Sequence, residues 1–151
     1  MSHLRAGSNK GRNTPDMFKK ALVVLSVLLT TTACNAQPGK LDSTVLLKST
    51  ASWDGTAYKA YPAGQPELTL LKINIPAKTT LNWHRHPIPN AAYVASGELE
   101  VETQDGSKSI RLKQGDTLAE LVDIMHRGKT GDSPVELIVF YAGTPGVALS
   151  E

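Results

Sequence analysis

Three of the four histidines in this 151-residue chain lie beyond residue 36, and their spacing suits one metal ion. His84-Arg85-His86 places two imidazoles two residues apart. In extended chain that spacing sends both side chains to one face. His126 follows in a second turn-rich segment, eleven residues after Gly115. Imidazole is the commonest protein ligand for first-row metals. Three neutral imidazoles leave coordination positions open, which a catalytic metal needs. His84, His86 and His126 are therefore the candidate ligands, and iron, zinc, manganese, nickel or copper would each suit them.

Two further residues bear on the chemistry. Asn90 follows Pro87 and Pro89. It is either a turn cap or a neutral oxygen donor to the same ion. Glu120 shares an alternating face with Asp116 and Leu118. If that face is inward, Glu120 approaches the metal or serves as general base; if outward, it is solvated. Trp83 alternates away from both neighbouring histidines and is expected to pack. Arg85 and Arg127 should point away from the metal. Tyr93, Phe140 and Tyr141 are read as core or pocket wall.

Short alternating runs between turn signals must position these residues. After residue 36 no helical periodicity appears. Residues 45–47 open the series, and Trp53-Asp54-Gly55-Thr56 reads as a turn. Residues 68–75 form a strand closed by Pro76, and residues 81–86 a strand stopped by Pro87 and Pro89. Residues 91–103 alternate, with Leu99 and Val101 against Glu98, Glu100 and Glu102. Gln104-Asp105-Gly106-Ser107 is a hairpin turn. Residues 109–112, 117–121, a segment around His126 and residues 135–141 complete the set. Many short strands with frequent turns predict an all-β sandwich or barrel. The tail from 143 to 151 is expected to be loosely held.

The N-terminus reads as a separate segment. Phe18-Lys19-Lys20 gives a basic start, residues 21–29 are apolar except for Ser26, and small residues follow to Ala36. Such a run suits an export signal and is too short to span a bilayer. Residues 1–36 are accordingly an N-terminal extension and signal peptide, and 37–151 the folded domain. Cleavage falls either before Cys34, giving a lipid-anchored protein, or after Ala36, giving a soluble exported one. The product would be periplasmic or secreted, and would touch membrane only through a lipid on Cys34. With one cysteine, no internal disulfide can form. Of 16 Lys+Arg and 14 Asp+Glu, five and one lie at or before Cys34, which leaves the remainder at −2. The basic balance belongs to the leader, and nucleic-acid binding is not expected.

The histidine pattern resembles the cupin superfamily. Its first motif runs Gly, five residues, His-x-His, three or four residues, Glu, six residues, Gly. Here His84 and His86 match the pair, Asn90 stands at the glutamate position and Gly97 at the closing glycine. Its second motif runs Gly, five residues, Pro-x-Gly, two residues, His, three residues, Asn. Gly115 and His126 match it, while Leu121, Asp123 and Thr130 replace the proline, the glycine and the asparagine. Lys78 replaces the opening glycine of the first motif. The likeness covers roughly residues 66–142. It implies a single jelly-roll β-barrel with a divalent metal near its centre, and a domain that pairs as a homodimer. With Asn90 for glutamate, the ion would keep its full charge and be a stronger Lewis acid.

Two functions follow as expectations. One is an exported metal-dependent enzyme of oxygenase, isomerase or lyase type, acting on a small oxygenated molecule, with Glu120 as base. The other is a non-catalytic ligand-binding or sensing module of the cell envelope on the same barrel.

Overall fold

The computed structural model describes residues 39–151. The export segment expected over residues 1–36 lies outside the described residues, and a compact unit spans Leu41–Glu151. Seven strands build it: β1 (Glu67–Ile75), β2 (Asn90–Ser96), β3 (Glu98–Thr103), β4 (Ser109–Lys113), β5 (Thr117–Ala119), β6 (His126–Thr130) and β7 (Val135–Gly143). They form two antiparallel sheets, one ordered β1-β7-β2-β5 and the other β4-β3-β6.

Alternation explains which side of each strand is inward. Leu99 and Val101 of β3 are buried, while Glu98, Glu100 and Glu102 face out. Leu137 and Val139 of the central strand β7 and Val94 of β2 meet them from the other sheet. Burying such side chains contributes about 1.5–3 kcal/mol each, which drives the two sheets together.

The run 91–103 is two strands rather than one. Gly97 sits at φ +82°, and a Cβ there would come 2.3 Å from the Pro134 carbonyl oxygen. Only glycine fits that crossing from one sheet to the other. The hairpin after β3 turns at Gly106 (φ +69°), with Asp105 Oδ1 accepting from the Thr103 hydroxyl at 2.6 Å.

Three other expectations change. Residues 45–47 are exposed and belong to no strand. Residues 81–86 form isolated bridges instead of a continuous strand: His84 pairs with His126 antiparallel, and His86 with Val122 in parallel. A segment that pairs in opposite senses within three residues cannot run as a regular ladder. The tail is held rather than loose. Glu151 and Arg85 exchange both backbone hydrogen bonds, at 2.9 and 3.0 Å, and Leu149 packs on the core.

Candidate metal centre

His84 and His126 are locked opposite each other by reciprocal backbone bonds of 3.0 and 2.9 Å. His86, two residues on, is fixed by its carbonyl, which accepts from Asp123 N–H at 2.9 Å. These pairings bring three rings from distant parts of the chain together. Their centroids lie 4.6 Å (His84–His126), 5.1 Å (His84–His86) and 5.1 Å (His86–His126) apart. One ligand nitrogen from each ring lies within 4.8 Å of the others, so the three could hold a metal ion. Three nitrogens evenly sharing an ion at about 2.1 Å stand at most about 3.6 Å apart, so the widest pair must close by roughly 1 Å when an ion binds.

The backbone decides which nitrogen is available. His84 Nδ1 lies 2.9 Å from Asn82 O, His86 Nδ1 2.7 Å from Leu149 O, and His126 Nδ1 2.8 Å from Ile124 O. A carbonyl oxygen only accepts, so each Nδ1 carries the proton and each Nε2 keeps its lone pair. This is the outer arrangement that metal-ligating histidines ordinarily show. It was not legible in the sequence, because main-chain carbonyls leave no residue-type signal.

Glu120 joins them. Glu120 is buried together with Leu118, Ala119 and Leu121, whereas Asp116 pairs with Lys113 at the turn. Glu120 Oε2 lies 3.5 Å from His126 Nε2, and both atoms are buried with no hydrogen-bond partner. Two orphaned polar atoms facing each other in the interior are costly unless something completes them. A cation held by the three histidines fits that gap in chemistry: it would take the His126 Nε2 lone pair and offer the nearby Glu120 carboxylate an opposite charge. Asn90 is also buried; its Nδ2 donates to Ile88 O at 3.2 Å, and its Oδ1 lacks a partner. The Asn90 carbonyl accepts from Glu120 N–H at 3.1 Å, which makes the two residues cross-strand neighbours. Glu120, unlike Asn90, lines the small cavity of about 70 Å³ that the three histidines share. The rest of that cavity is mainly apolar, with Leu81, Leu99, Leu137 and Val139 among its walls. Gly128 also lines it, at a place where a Cβ would meet Leu99 Cδ1 at 3.1 Å.

Burial sets the protonation here. It pulls the His86 imidazole down to about 4, helped by the two other histidines, and lowers His126 in the same way. Burial also pushes the Glu120 carboxyl up to about 7, against the Leu121 N–H, which favours its ionised form. Tyr141, 5.6 Å from His86 by centroids, is raised to about 12 by burial and then by Glu120. Around neutral pH the cavity therefore favours neutral His86 and His126 and a Glu120 carboxyl poised between its two forms.

The remaining candidates fall as follows. Arg85 pairs with Glu151 at 2.7 Å, and Arg127 pairs with Glu102 at 2.7 Å while covering the Trp83 ring at 4.1 Å. Neither arginine lines the cavity. Tyr141 is pocket wall, but Phe140 is 40% exposed on the outer face of its sheet. The apolar run 137–142 gives no face by itself, but Glu136 marks the outer one, which Ile138 and Phe140 share at period two.

No protein-family model matches the chain, and no curated protein matches it. Solved structures do. The DMSP lyase DddQ from Ruegeria pomeroyi DSS-3 is 25% identical, with a TM-score of 0.50 over 56% of this chain and 42% of that one. A cupin-like protein from Thermotoga maritima is 15% identical, with a TM-score of 0.47 over 56% and 62%. The polyketide cyclase RemF from Streptomyces resistomycificus is 17% identical, with a TM-score of 0.47 over 54% and 59%. The chain spans less than half the length of the lyase chains it matches. The fold is the cupin fold, an all-β jelly-roll barrel.

Proposed function

We propose that this protein is a metal-dependent cupin enzyme of isomerase or lyase type. His84, His86 and His126 would hold a divalent ion, and Glu120 would move a proton on a small substrate. The observation that carries this reading is the buried Glu120 carboxyl, whose Oε2 has no hydrogen-bond partner and lies 3.5 Å from His126 Nε2. A divalent ion at this centre would supply Lewis acidity to a substrate oxygen. The chain supplies the rest. Three backbone carbonyls aim the imidazoles, the apolar walls exclude water, and Glu120 Oε2 accepts a proton and returns it. A base whose pKa is near the working pH does this best. The lyase activity of the Ruegeria protein supports the reaction class but not its substrate. A buried proton acceptor favours proton transfer over dioxygen chemistry.

The test needs no knowledge of the product. Metal-loaded protein is incubated in D₂O with a panel of small hydroxy and oxo acids, and proton exchange is followed by NMR. Exchange on at least one compound, lost in Glu120→Gln with metal retained, is the expected result. Retention of exchange in that variant removes Glu120 from the mechanism. Metal content below one ion per chain in protein from its native compartment removes the centre altogether.

Asn90 favours a second reading. A neutral amide stands where the cupin motif carries glutamate, which suits a non-catalytic binding or sensing module. Ligand affinity without proton exchange would select it. Either form would be exported through residues 1–36 and would pair with a second copy. The exposed Leu68, Leu70 and Phe140 on one sheet face support the pairing. Sedimentation of Leu70→Asp tests it.

A further inference from the structure

His86 is anchored differently from its two partners. His84 and His126 each donate from Nδ1 to the carbonyl two residues earlier, a contact built into the local chain. His86 donates to Leu149 O, sixty-three positions away. The segment bearing that carbonyl is fixed to the histidine's own neighbour. Arg85 N–H donates to Glu151 O at 3.0 Å, and Glu151 N–H to Arg85 O at 2.9 Å. The Arg85 guanidinium then grips Glu151 Oε2 through Nη2 at 2.7 Å and Nε at 3.1 Å. Leu149 packs against the core, which sets the depth of its carbonyl.

We infer that residues 149–151 are an outer element of the metal centre, with Arg85 and Glu151 as its positioning residues. Docking of this segment commits the His86 proton to Nδ1 and leaves the Nε2 lone pair facing the cavity. Without the carbonyl, a neutral ring can carry its proton on either nitrogen. Rings protonated at Nε2 cannot bind through it. Segment docking and metal binding therefore strengthen each other, and by linkage the coupling is reciprocal. The inference rests on the proposed role of the three histidines. Its structural half, the tautomer, can be read without any metal.

The experiment compares the full chain with three variants: a deletion of residues 149–151, Arg85→Ala and Arg85→Lys. Lys113→Ala, which breaks an exposed ion pair with Asp116 on the β4–β5 turn, is the control. Ring ¹⁵N NMR of the metal-free proteins reports each histidine's tautomer, and cobalt(II) titration reports affinity. The deletion should shift the His86 nitrogens alone toward a mixture, leaving His84 and His126 as they are. It should weaken cobalt binding by about 10–100-fold, the usual cost of losing an outer partner. Arg85→Ala should move both readouts less, Arg85→Lys should recover part of the loss, and Lys113→Ala should move neither. In the full chain, cobalt should slow amide exchange at Glu151. Unchanged His86 nitrogens or unchanged cobalt affinity in the folded deletion overturns the inference. Should the deletion unfold, Arg85→Ala decides: unaltered His86 nitrogens together with unaltered Glu151 exchange overturn it. A full chain that binds no cobalt defeats the metal reading instead, and the tautomer result still tests what the segment does.

Discussion

Strand β6 carries two electrostatic regimes on adjacent residues. His126 faces the cavity, and Arg127 faces the outer side of the three-stranded sheet. Inside, burial sets the protonation: His86 falls to about 4, His126 falls with it and Glu120 rises to about 7. Outside, partners set it. Hydrogen bonds from Lys129 and then Arg127 hold the Glu102 carboxyl below its ordinary range. Each outer charge already has an opposite charge beside it, at 2.5 Å for Lys129 and 2.7 Å for Arg127. The inner donors have none. A divalent ion is the partner that would complete the inner group, which makes the cavity the sensitive region and the outer face the tolerant one.

The largest expected break is His86→Ala. It removes a ligand and also strands the Leu149 carbonyl, so metal affinity should fall by more than the roughly 10–100-fold of an outer partner. Equilibrium dialysis checks this. Glu120→Gln comes next: metal should stay bound, while proton exchange falls by about 10²–10⁴, the range for loss of a general base. Loss of bound metal in this variant would instead make Glu120 a ligand.

Metal-free protein offers a sharper form of the comparison. The His86 pKa is lowered from 6.5, so between about 4 and 6.5 the unfolded chain binds more protons and stability rises with pH. His126 acts in the same direction. The Glu120 pKa is raised from 4.5, so between 4.5 and about 7 the folded chain binds more protons and stability falls with pH. The slopes oppose each other in the native protein. Glu120→Gln should leave the rising histidine slope alone, and His86→Ala, which keeps only the His126 share of it, should shift the balance toward the falling one. Each slope should amount to a change on the order of 3 kcal/mol across its window. Urea unfolding at several pH values in chelator would show it, and a slope in His86→Ala no less positive than that in Glu120→Gln would refute the assignment. With metal present, protons must displace the ion from His86 and His126, which are already held below 6.5. Binding should therefore fall most steeply as the pH drops toward 4.

What the sequence disclosed follows the same division. The histidines and the outer glutamates were readable because alternation and motif spacing act through residue type. Glu120 was ambiguous, because Ala119, Glu120 and Leu121 are all buried and period two gives no face there. A lone acid inside the apolar run 118–122 was the available signal. The strand break at Gly97 was hidden because alternation holds on both sides of it. Only the approach of Pro134, thirty-seven residues later, forbids a side chain there. The docking of Leu149 and Glu151 left no local trace, since its partners lie more than sixty residues away.

The smallest expected effect tests the tolerant region. Glu102→Gln removes the carboxylate shared by Arg127 and Lys129 and leaves both cations at the surface. These side chains are half-buried at the edge of solvent, where water and salt can still replace much of that partner, so the pairs contribute modestly. Arg127 also keeps its seat over Trp83, 4.1 Å from the ring centroid, so its side chain need not move. The variant should unfold close to the native midpoint, with the small difference shrinking further at high salt. Metal affinity should not change, even though Arg127 adjoins His126 in sequence, because alternation points the two side chains to opposite faces. A measurable loss of cobalt binding in Glu102→Gln would mean that the outer face steers the inner site through β6, and the two regimes would no longer be separable.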